Sequence, residues 1–149
     1  MRTLMLSAFA AAFFTFAPAP AAASDTYDQI LADARAVRTE AEEVKLLLKH
    51  KAADQAALQQ RLDVIGQHAR ALKDAVDRVD TATFTSKQMA AIERARGTAE
   101  TILVMLNNKS ALLAGPDGLT KQRGLLRAKA DAIATRATIV EKQLQQLRG

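Results

Sequence analysis

His50 and His68, the two histidines of this 149-residue chain, are the first residues to consider for metal binding. Metal sites inside helical bundles typically use inward-facing Glu-x-x-His pairs, and no glutamate here has a histidine three residues later. On one continuous helix the two imidazoles would lie roughly 27 Å apart, at about 1.5 Å per residue. They therefore cannot share a metal ion. Because neither lies on an apolar helix face, we expect both to be solvent-exposed.

The densest carboxylate cluster of the chain is Glu40, Glu42 and Glu43. Basic residues surround it at helical spacing: Arg38, Lys45 and Lys49. Opposite charges three or four residues apart form ion pairs on a helix surface, which favours a solvated face over acid–base catalysis. Cysteine is absent, so disulfides and thiolate chemistry are excluded. The sequence also lacks a glycine-rich phosphate loop and a nucleophile elbow, and we expect neither enzymatic activity nor a cofactor.

Two groups of basic residues are candidates for an interaction surface. They are Lys49, His50 and Lys51 in one group, and Arg123, Arg127 and Lys129 in the other. Nucleic-acid binding usually combines such charge with aromatic stacking, but Tyr27 and Phe84 are the only aromatic residues after residue 16. Nucleic acid is therefore not an expected partner. The same charges could attract an anionic membrane surface, although alanine-rich faces without Trp are more typical of helix–helix packing.

The first 23 residues have the pattern of a secretory signal peptide. Arg2 supplies the positive charge, an apolar stretch of about 14 residues follows, and small residues at 21–23 form the cleavage site. That stretch is shorter than the roughly 20 residues that cross a bilayer as a helix. We therefore predict that residues 1–23 are removed and that residues 24–149 are periplasmic or secreted. No cysteine follows the cleavage site, so the protein is not expected to be a lipoprotein.

Residues 24–149 have the composition of a single helical domain. Without Arg2, twenty Lys and Arg face sixteen Asp and Glu, and 23 of these 126 residues are alanine. A β-sandwich or barrel would need β-branched and aromatic runs with frequent turn residues. The composition therefore predicts an all-α protein, built as an antiparallel helical bundle with coiled-coil-like packing.

In the first half of the domain, apolar residues recur three and four apart, as in helices packed at a shallow angle. One run is Tyr27, Ile30, Ala34, Val37, Ala41, Val44 and Leu48, and the next is Leu58, Leu62, Ile65, Ala69, Leu72, Val76 and Val79. The runs keep one phase, which favours a continuous helix of about 55 residues, three long helices in all, and a homodimer. Alternatively, the polar Lys49–Asp54 segment is a turn in which Asp54 caps a second helix. The chain then closes a bundle of four helices, each of about 25 to 30 residues.

The third helix is predicted to begin after Thr85. Thr85 and Gln88 form a capping-box pattern, and Phe84 precedes the cap as in a hydrophobic staple. The helix is predicted to continue to Leu113, until Gly115-Pro116-Asp117-Gly118 stops it. So short a loop makes the fourth helix antiparallel to the third.

The apolar seams also predict which side chains form the core. They are Leu58, Leu62, Ile65, Ile102, Leu106, Ile133, Val140 and Leu144. Gly66, Gly97 and Gly124 lie inside predicted helices, where each costs up to about 1 kcal/mol relative to alanine. We expect these glycines to mark places where two helices approach closely.

The segment Phe84-Thr85-Ser86-Lys87-Gln88 is similar to the Leu-Thr-x-x-Gln motif of the Spy/CpxP-type periplasmic chaperones. An imperfect second copy is Leu119-Thr120-Lys121-Gln122. Proteins of that class are small, helical and cysteine-free, and they carry a signal peptide. Their methionine-rich character is not shared, because Met89 and Met105 are the only methionines after residue 23. The resemblance implies a holdase-type chaperone.

These patterns predict a non-enzymatic periplasmic or secreted helical protein that acts through a protein partner or through self-association. Two alternatives remain: a holdase-type chaperone of the Spy/CpxP class, and a basic helical protein that adsorbs to lipid or other anionic surfaces. The candidate interaction residues are the two basic groups described above.

Overall fold

The computed structural model describes residues 21–50, 54–107 and 117–148. Within them the chain forms four α-helices, with a short 3-10 turn at Thr81–Thr83: α1 (Ala21–Lys49), α2 (Gln55–Asp77), α3 (Ser86–Leu106) and α4 (Gly118–Gln146). These residues contain no β-strand, and the all-α prediction is confirmed. The predicted signal peptide falls on residues 1–20, outside the described part, and on the first three residues of α1. None of the described helices is long and apolar enough to cross a membrane.

The first helix is interrupted at the polar segment before Asp54. α1 ends at Lys49, and the Asp54 carboxylate caps α2 by accepting a hydrogen bond from the backbone N–H of Ala56 at 2.9 Å. The prediction of a continuous first helix is therefore wrong, and the four-helix alternative is confirmed. The physical reason is burial, since a straight helix would leave half of its apolar seam without a partner in the chain.

Contacts between the helices show that neighbouring helices are antiparallel. Arg61 of α2 pairs with Glu40 of α1, and His68 of α2 pairs with Asp33 of α1. The second contact lies seven residues later on α2 but seven residues earlier on α1, so the two helices run in opposite directions. The same reversal relates α2 to α3, α3 to α4 and α4 to α1. The bundle therefore runs up-down-up-down, and α4 closes it against α1.

The core lies on the predicted seams. All eight predicted core residues are buried, with at most 7% of their surface exposed. The apolar side chains form two clusters along the bundle axis. One surrounds Leu58 and Ile133, near the end of α1 and the start of α2, and the other surrounds Ile92 and Leu144 at the opposite end.

Tyr27 and Phe84 meet at that opposite end of the bundle. Their ring centroids lie 5.8 Å apart, and the Tyr27 hydroxyl donates a hydrogen bond to the backbone oxygen of Leu144 at 2.7 Å. Burial raises the pKa of Tyr27, so the hydroxyl keeps the proton that it donates. The two aromatics therefore tie α1, the α2–α3 connection and α4 together.

The predicted start of α3 agrees with the structure, and its predicted end does not. At the start, the capping box is confirmed: Thr85 Oγ1 accepts from the Gln88 backbone N–H, and Gln88 Oε1 accepts from that of Thr85. At the other end α3 stops at Leu106, short of the predicted Leu113. Asparagine follows, and its side chain competes for backbone hydrogen bonds, which disfavours a helix interior. Leu113 and the predicted Gly115-Pro116 stop lie outside the described residues.

Two of the three helix glycines do not mark close approaches. A β-carbon built at Gly66 would lie 3.8 Å from Leu106 Cδ1, an ordinary van der Waals contact. At Gly97 and Gly124 it would meet nothing within 4 Å, and both positions are exposed. The expectation of tight packing is therefore wrong for Gly97 and Gly124, which sit on the outside of the bundle.

Candidate functional site

The two predicted basic groups meet at one end of the bundle, because α4 begins beside the point where α1 ends. Lys49 and His50 are exposed there. The Arg123 guanidinium on α4 donates to the backbone oxygens of Leu48 and His50, each at 2.7 Å. Lys51 lies outside the described residues.

Lys129 is directed away from this group and toward α3. Its ammonium donates to the backbone oxygen of Met105 at 2.9 Å, in the last turn of α3. The last carbonyls of a helix have no partner within the helix, and cations bind them favourably. Arg123 and Lys129 therefore complete the C-terminal ends of α1 and α3. The sequence did not indicate this role, because each accepting carbonyl belongs to another helix.

Lys49 and Arg127 border an open groove of about 520 Å³ between α1 and α4. The other residues along it are Lys45, Gly124, Ala128 and Asp131. Lys45 pairs with Asp131 at 2.8 Å and with Glu42 at 3.2 Å. The hydrogen bonds that Lys45 donates to Asp131 and Glu42 raise the pKa of Lys45, and the bond to Asp131 lowers the pKa of Asp131. The groove thus presents three cations and one carboxylate, which favours an anionic ligand.

Glu141 on α4 is buried and binds two arginines of α1. It is 7% exposed, and its two oxygens lie 3.0 Å from Arg35 Nε and 2.6 Å from Arg38 Nε. Burial opposes ionisation, but the hydrogen bonds from Arg35 and Arg38 outweigh it and lower the pKa of Glu141. Arg38 therefore forms an ion pair between helices, whereas the sequence predicted that it would pair with the Glu40, Glu42 and Glu43 cluster. Within that cluster, Glu40 pairs with Arg61 of α2.

His68 is half-buried and faces a carboxylate on α1. Its Nδ1 lies 3.2 Å from Asp33 Oδ1, and Asp33, 4% exposed, also accepts a hydrogen bond from Gln29 at 2.9 Å. The expectation that both histidines are solvent-exposed thus holds for His50, whereas His68 is only partly exposed and pairs with Asp33. No cluster of three or more potential metal ligands (His, Cys, Asp or Glu) occurs in the described part of the chain.

A second row of uncharged side chains runs along α4 on the side away from the core. We call it the outer face of α4, and it consists of Leu125, Ala128, Ala132, Thr135 and Ile139. Their spacing of three and four residues places them on one side of the helix. Leu125 is 46% and Ile139 48% exposed. This row is visible in the sequence as a second repeat of uncharged residues, beside the repeat that forms the core. It was not predicted, because only the core repeat was considered.

Basic side chains flank the outer face of α4. α4 contains six Lys and Arg but only two acidic residues, whereas the other three helices together contain ten basic and eleven acidic residues. Both acids of α4 are paired, Asp131 with Lys45 and Glu141 with α1. In contrast, Arg127, Arg136 and Lys142 form no hydrogen bond or ion pair with any other described residue. The excess positive charge of the domain is thus concentrated on α4.

A pocket of about 260 Å³ lies between the start of α3 and the end of α4. Lys87 and Arg94 line it from α3, and Gln143 and Leu147 line it from α4. Neither cation is paired with another described side chain. The Gln143 Oε1 atom is buried without a hydrogen-bond partner among the described residues. The pocket therefore combines two free cations with an amide whose hydrogen-bonding capacity is not satisfied.

The segment that resembles the chaperone motif forms contacts within the bundle. Besides its capping bonds, Gln88 donates through Nε2 to the backbone oxygen of Leu147 at 3.1 Å, which ties the start of α3 to the end of α4. These contacts are structural, and the chaperone function remains a prediction. No known protein family, curated protein or solved structure matches the chain.

Proposed function

We propose that this is a non-enzymatic helical-bundle protein that acts by binding a protein partner through the outer face of α4. The observation that carries the proposal is the exposed, heptad-spaced row from Leu125 to Ile139. Among the described residues, the two core clusters of the bundle do not include this row. Single exposed apolar residues are ordinary, but a helix with apolar residues on two sides usually contacts something on both.

The proposal includes a location outside the cytoplasm, in the periplasm or medium. Its support is the charged start, apolar stretch and small-residue site of residues 1–23. Mass spectrometry of protein recovered from periplasmic and medium fractions of the source cells tests this part. We expect a mature N-terminus at Ser24. Recovery of the unprocessed chain from the cytoplasm would contradict it.

A protein partner is favoured over self-association. The four helices bury their core-facing apolar residues within one chain, which supports a fold that closes without a second copy. Two α4 helices in contact would also bring two positively charged surfaces together, which is unfavourable. Light scattering after size exclusion should give the mass of a monomer, and a stable dimer would favour self-association instead.

Site-specific photo-crosslinking in the source cells tests the proposed binding face. A benzophenone amino acid replaces Ala132 at the centre of the face, or Gln67, an exposed residue of α2, as the control. We expect a discrete adduct with one protein from position 132 and none from position 67. Ile139→Glu should abolish the adduct, and Gln67→Glu should leave it unchanged. Equal adducts from both positions, or none from position 132, would refute the proposal.

A further inference from the structure

We propose that the partner segment is an acidic amphipathic helix, which packs along the outer face of α4 and places a carboxylate between Lys87 and Arg94. This inference rests on the proposed function, since it names the chemistry of the partner at the same face. Three features of the structure carry it: the spacing of the face, its charge and the pocket beside its end.

The spacing of the outer face matches a helix. Leu125 and Ile139 are 14 residues apart, so the face extends about 21 Å along α4. Between them stand the small side chains of Ala128, Ala132 and Thr135, which allow the backbone of a second helix to approach closely. Residues three and four apart interdigitate with the same spacing on a second helix, whereas a strand presents side chains at a period of two.

The charge around the face favours an acidic partner. Lys129, Arg136 and Gln143 follow one another at intervals of seven and therefore lie along one edge. That edge faces α3, because Lys129 binds a backbone oxygen of α3 and Gln143 lines the pocket against α3. Arg136 has no ion-pair partner in the described part of the chain, and no acidic residue of α4 lies in this row. A helix with Glu or Asp along one side would complement the edge, and a second copy of α4 would be repelled by it.

The pocket between α3 and α4 gives the partner a point of attachment. It lies one turn beyond Ile139, where the edge that faces α3 reaches Gln143, and no described residue supplies a counter-charge to Lys87 or Arg94 in its lining. A carboxylate there would interact with both cations. The Gln143 amide can turn either its oxygen or its NH₂ group inward, so it can donate to the same carboxylate. With the NH₂ group turned inward, the carboxylate accepts its hydrogen bond, whereas the inward Oε1 has no partner among the described residues.

An anionic membrane is a poorer fit to the same face. Interfacial helices usually insert several large apolar or aromatic side chains, and the outer face of α4 offers Leu125 and Ile139 with small residues between them. So narrow an apolar row suits a facing helix. Vesicles therefore serve as a competing probe in the test.

Binding of designed peptides to the purified protein tests the proposal. The acidic probe is a four-heptad helical peptide with Leu and Ala on its apolar seam and Glu at the flanking positions. A second peptide has Lys in place of every Glu, and vesicles of phosphatidylglycerol are the third probe. Fluorescence anisotropy should show that the acidic peptide binds at least about tenfold more tightly than the basic one, with affinity falling between about 0.05 and 0.5 M salt. Equal binding of both peptides, or vesicle binding without acidic-peptide binding, would overturn the proposal.

Matched variants separate this inference from the proposed function. Arg94→Glu should weaken binding of the acidic peptide about tenfold, and Arg70→Glu on α2, with the same change in charge, should not. Ile139→Glu should weaken it as well, and circular dichroism confirms that each variant is folded. If crosslinking from position 132 succeeds while the acidic peptide fails to bind, the acidic-helix partner is wrong and the binding face stands. If Arg94→Glu behaves like Arg70→Glu, the carboxylate pocket is wrong.

Discussion

Replacing Glu141 by glutamine should destabilise the bundle substantially, although the two side chains have nearly the same size. Glu141 is 7% exposed and joins α4 to α1 through Arg35 and Arg38. The substitution removes the negative charge and leaves two guanidinium groups beside a neutral amide. The amide oxygen can still accept one hydrogen bond, but the second arginine loses a charged partner.

The expected loss follows from the exposure of the three side chains. A hydrogen bond to a charged group contributes about 1.5 to 3 kcal/mol. Arg35 is 52% and Arg38 35% exposed, so water compensates part of the loss. We therefore expect Glu141→Gln to lower the free energy of unfolding by about 2 kcal/mol, which corresponds to a fall in Tm of roughly 7 °C for a domain of this size.

The pH dependence of that loss is the sharper test. The pKa of Glu141 is lowered in the folded state, so the carboxylate stabilises the fold above its unfolded pKa, about 4.3, and this contribution disappears as pH falls through the folded pKa. The difference between wild type and Glu141→Gln in urea unfolding should thus be full at pH 7 and shrink below about pH 4. Glu93→Gln, an exposed i,i+3 pair with Arg96, is the control and should change little. A pH-independent difference, or one no larger than the control, would refute the reasoning.

Three further substitutions test the packing of the bundle. Ile102→Asp places an unpaired charge at a fully buried position and should lower the free energy of unfolding by at least about 4 kcal/mol. Circular dichroism should then show loss of the cooperative melt or a fall in Tm above about 10 °C. A melt that moves only slightly would mean that Ile102 is wrongly assigned to the core. Tyr27→Phe removes the 2.7 Å hydrogen bond to Leu144 and should cost about 1 kcal/mol in urea unfolding, and an unchanged midpoint would contradict that bond. Gly97→Ala should stabilise the protein by up to about 1 kcal/mol, since the added methyl group meets nothing within 4 Å; destabilisation would indicate an unseen contact there.

The seams of the bundle were predictable because each helix carries its own apolar repeat. Leu58, Ile102 and Val140 are buried as that repeat requires. The local sequence pattern did not decide whether the helix breaks after Lys49. Helix propensity favours a continuous helix there, and a turn becomes favourable only because it lets the complete bundle bury the apolar residues of both helices. Burial of a whole row of apolar residues depends on the complete fold, so it cannot be predicted from any short segment of the sequence.

The ion pairs between α1 and α2 could be predicted only once the break after Lys49 was known. A hairpin centred near residue 50 brings Glu40 opposite Arg61 and Asp33 opposite His68, which a straight helix keeps far apart. His68 is therefore only partly exposed, although the sequence predicted a fully solvated side chain. Contacts from side chains to backbone oxygens, such as Arg123 with Leu48 and Lys129 with Met105, depend on helix offsets that the spacing of apolar residues does not determine.

The uneven charge of α4 also has a kinetic consequence. With the other three helices nearly balanced, the field of the molecule is strongest on one side, and an acidic molecule experiences a torque before it makes contact. Association should then be fast and steeply dependent on salt, whereas the residence time depends on the few apolar side chains between the charges. A surface of this kind suits a complex that forms and dissolves rapidly.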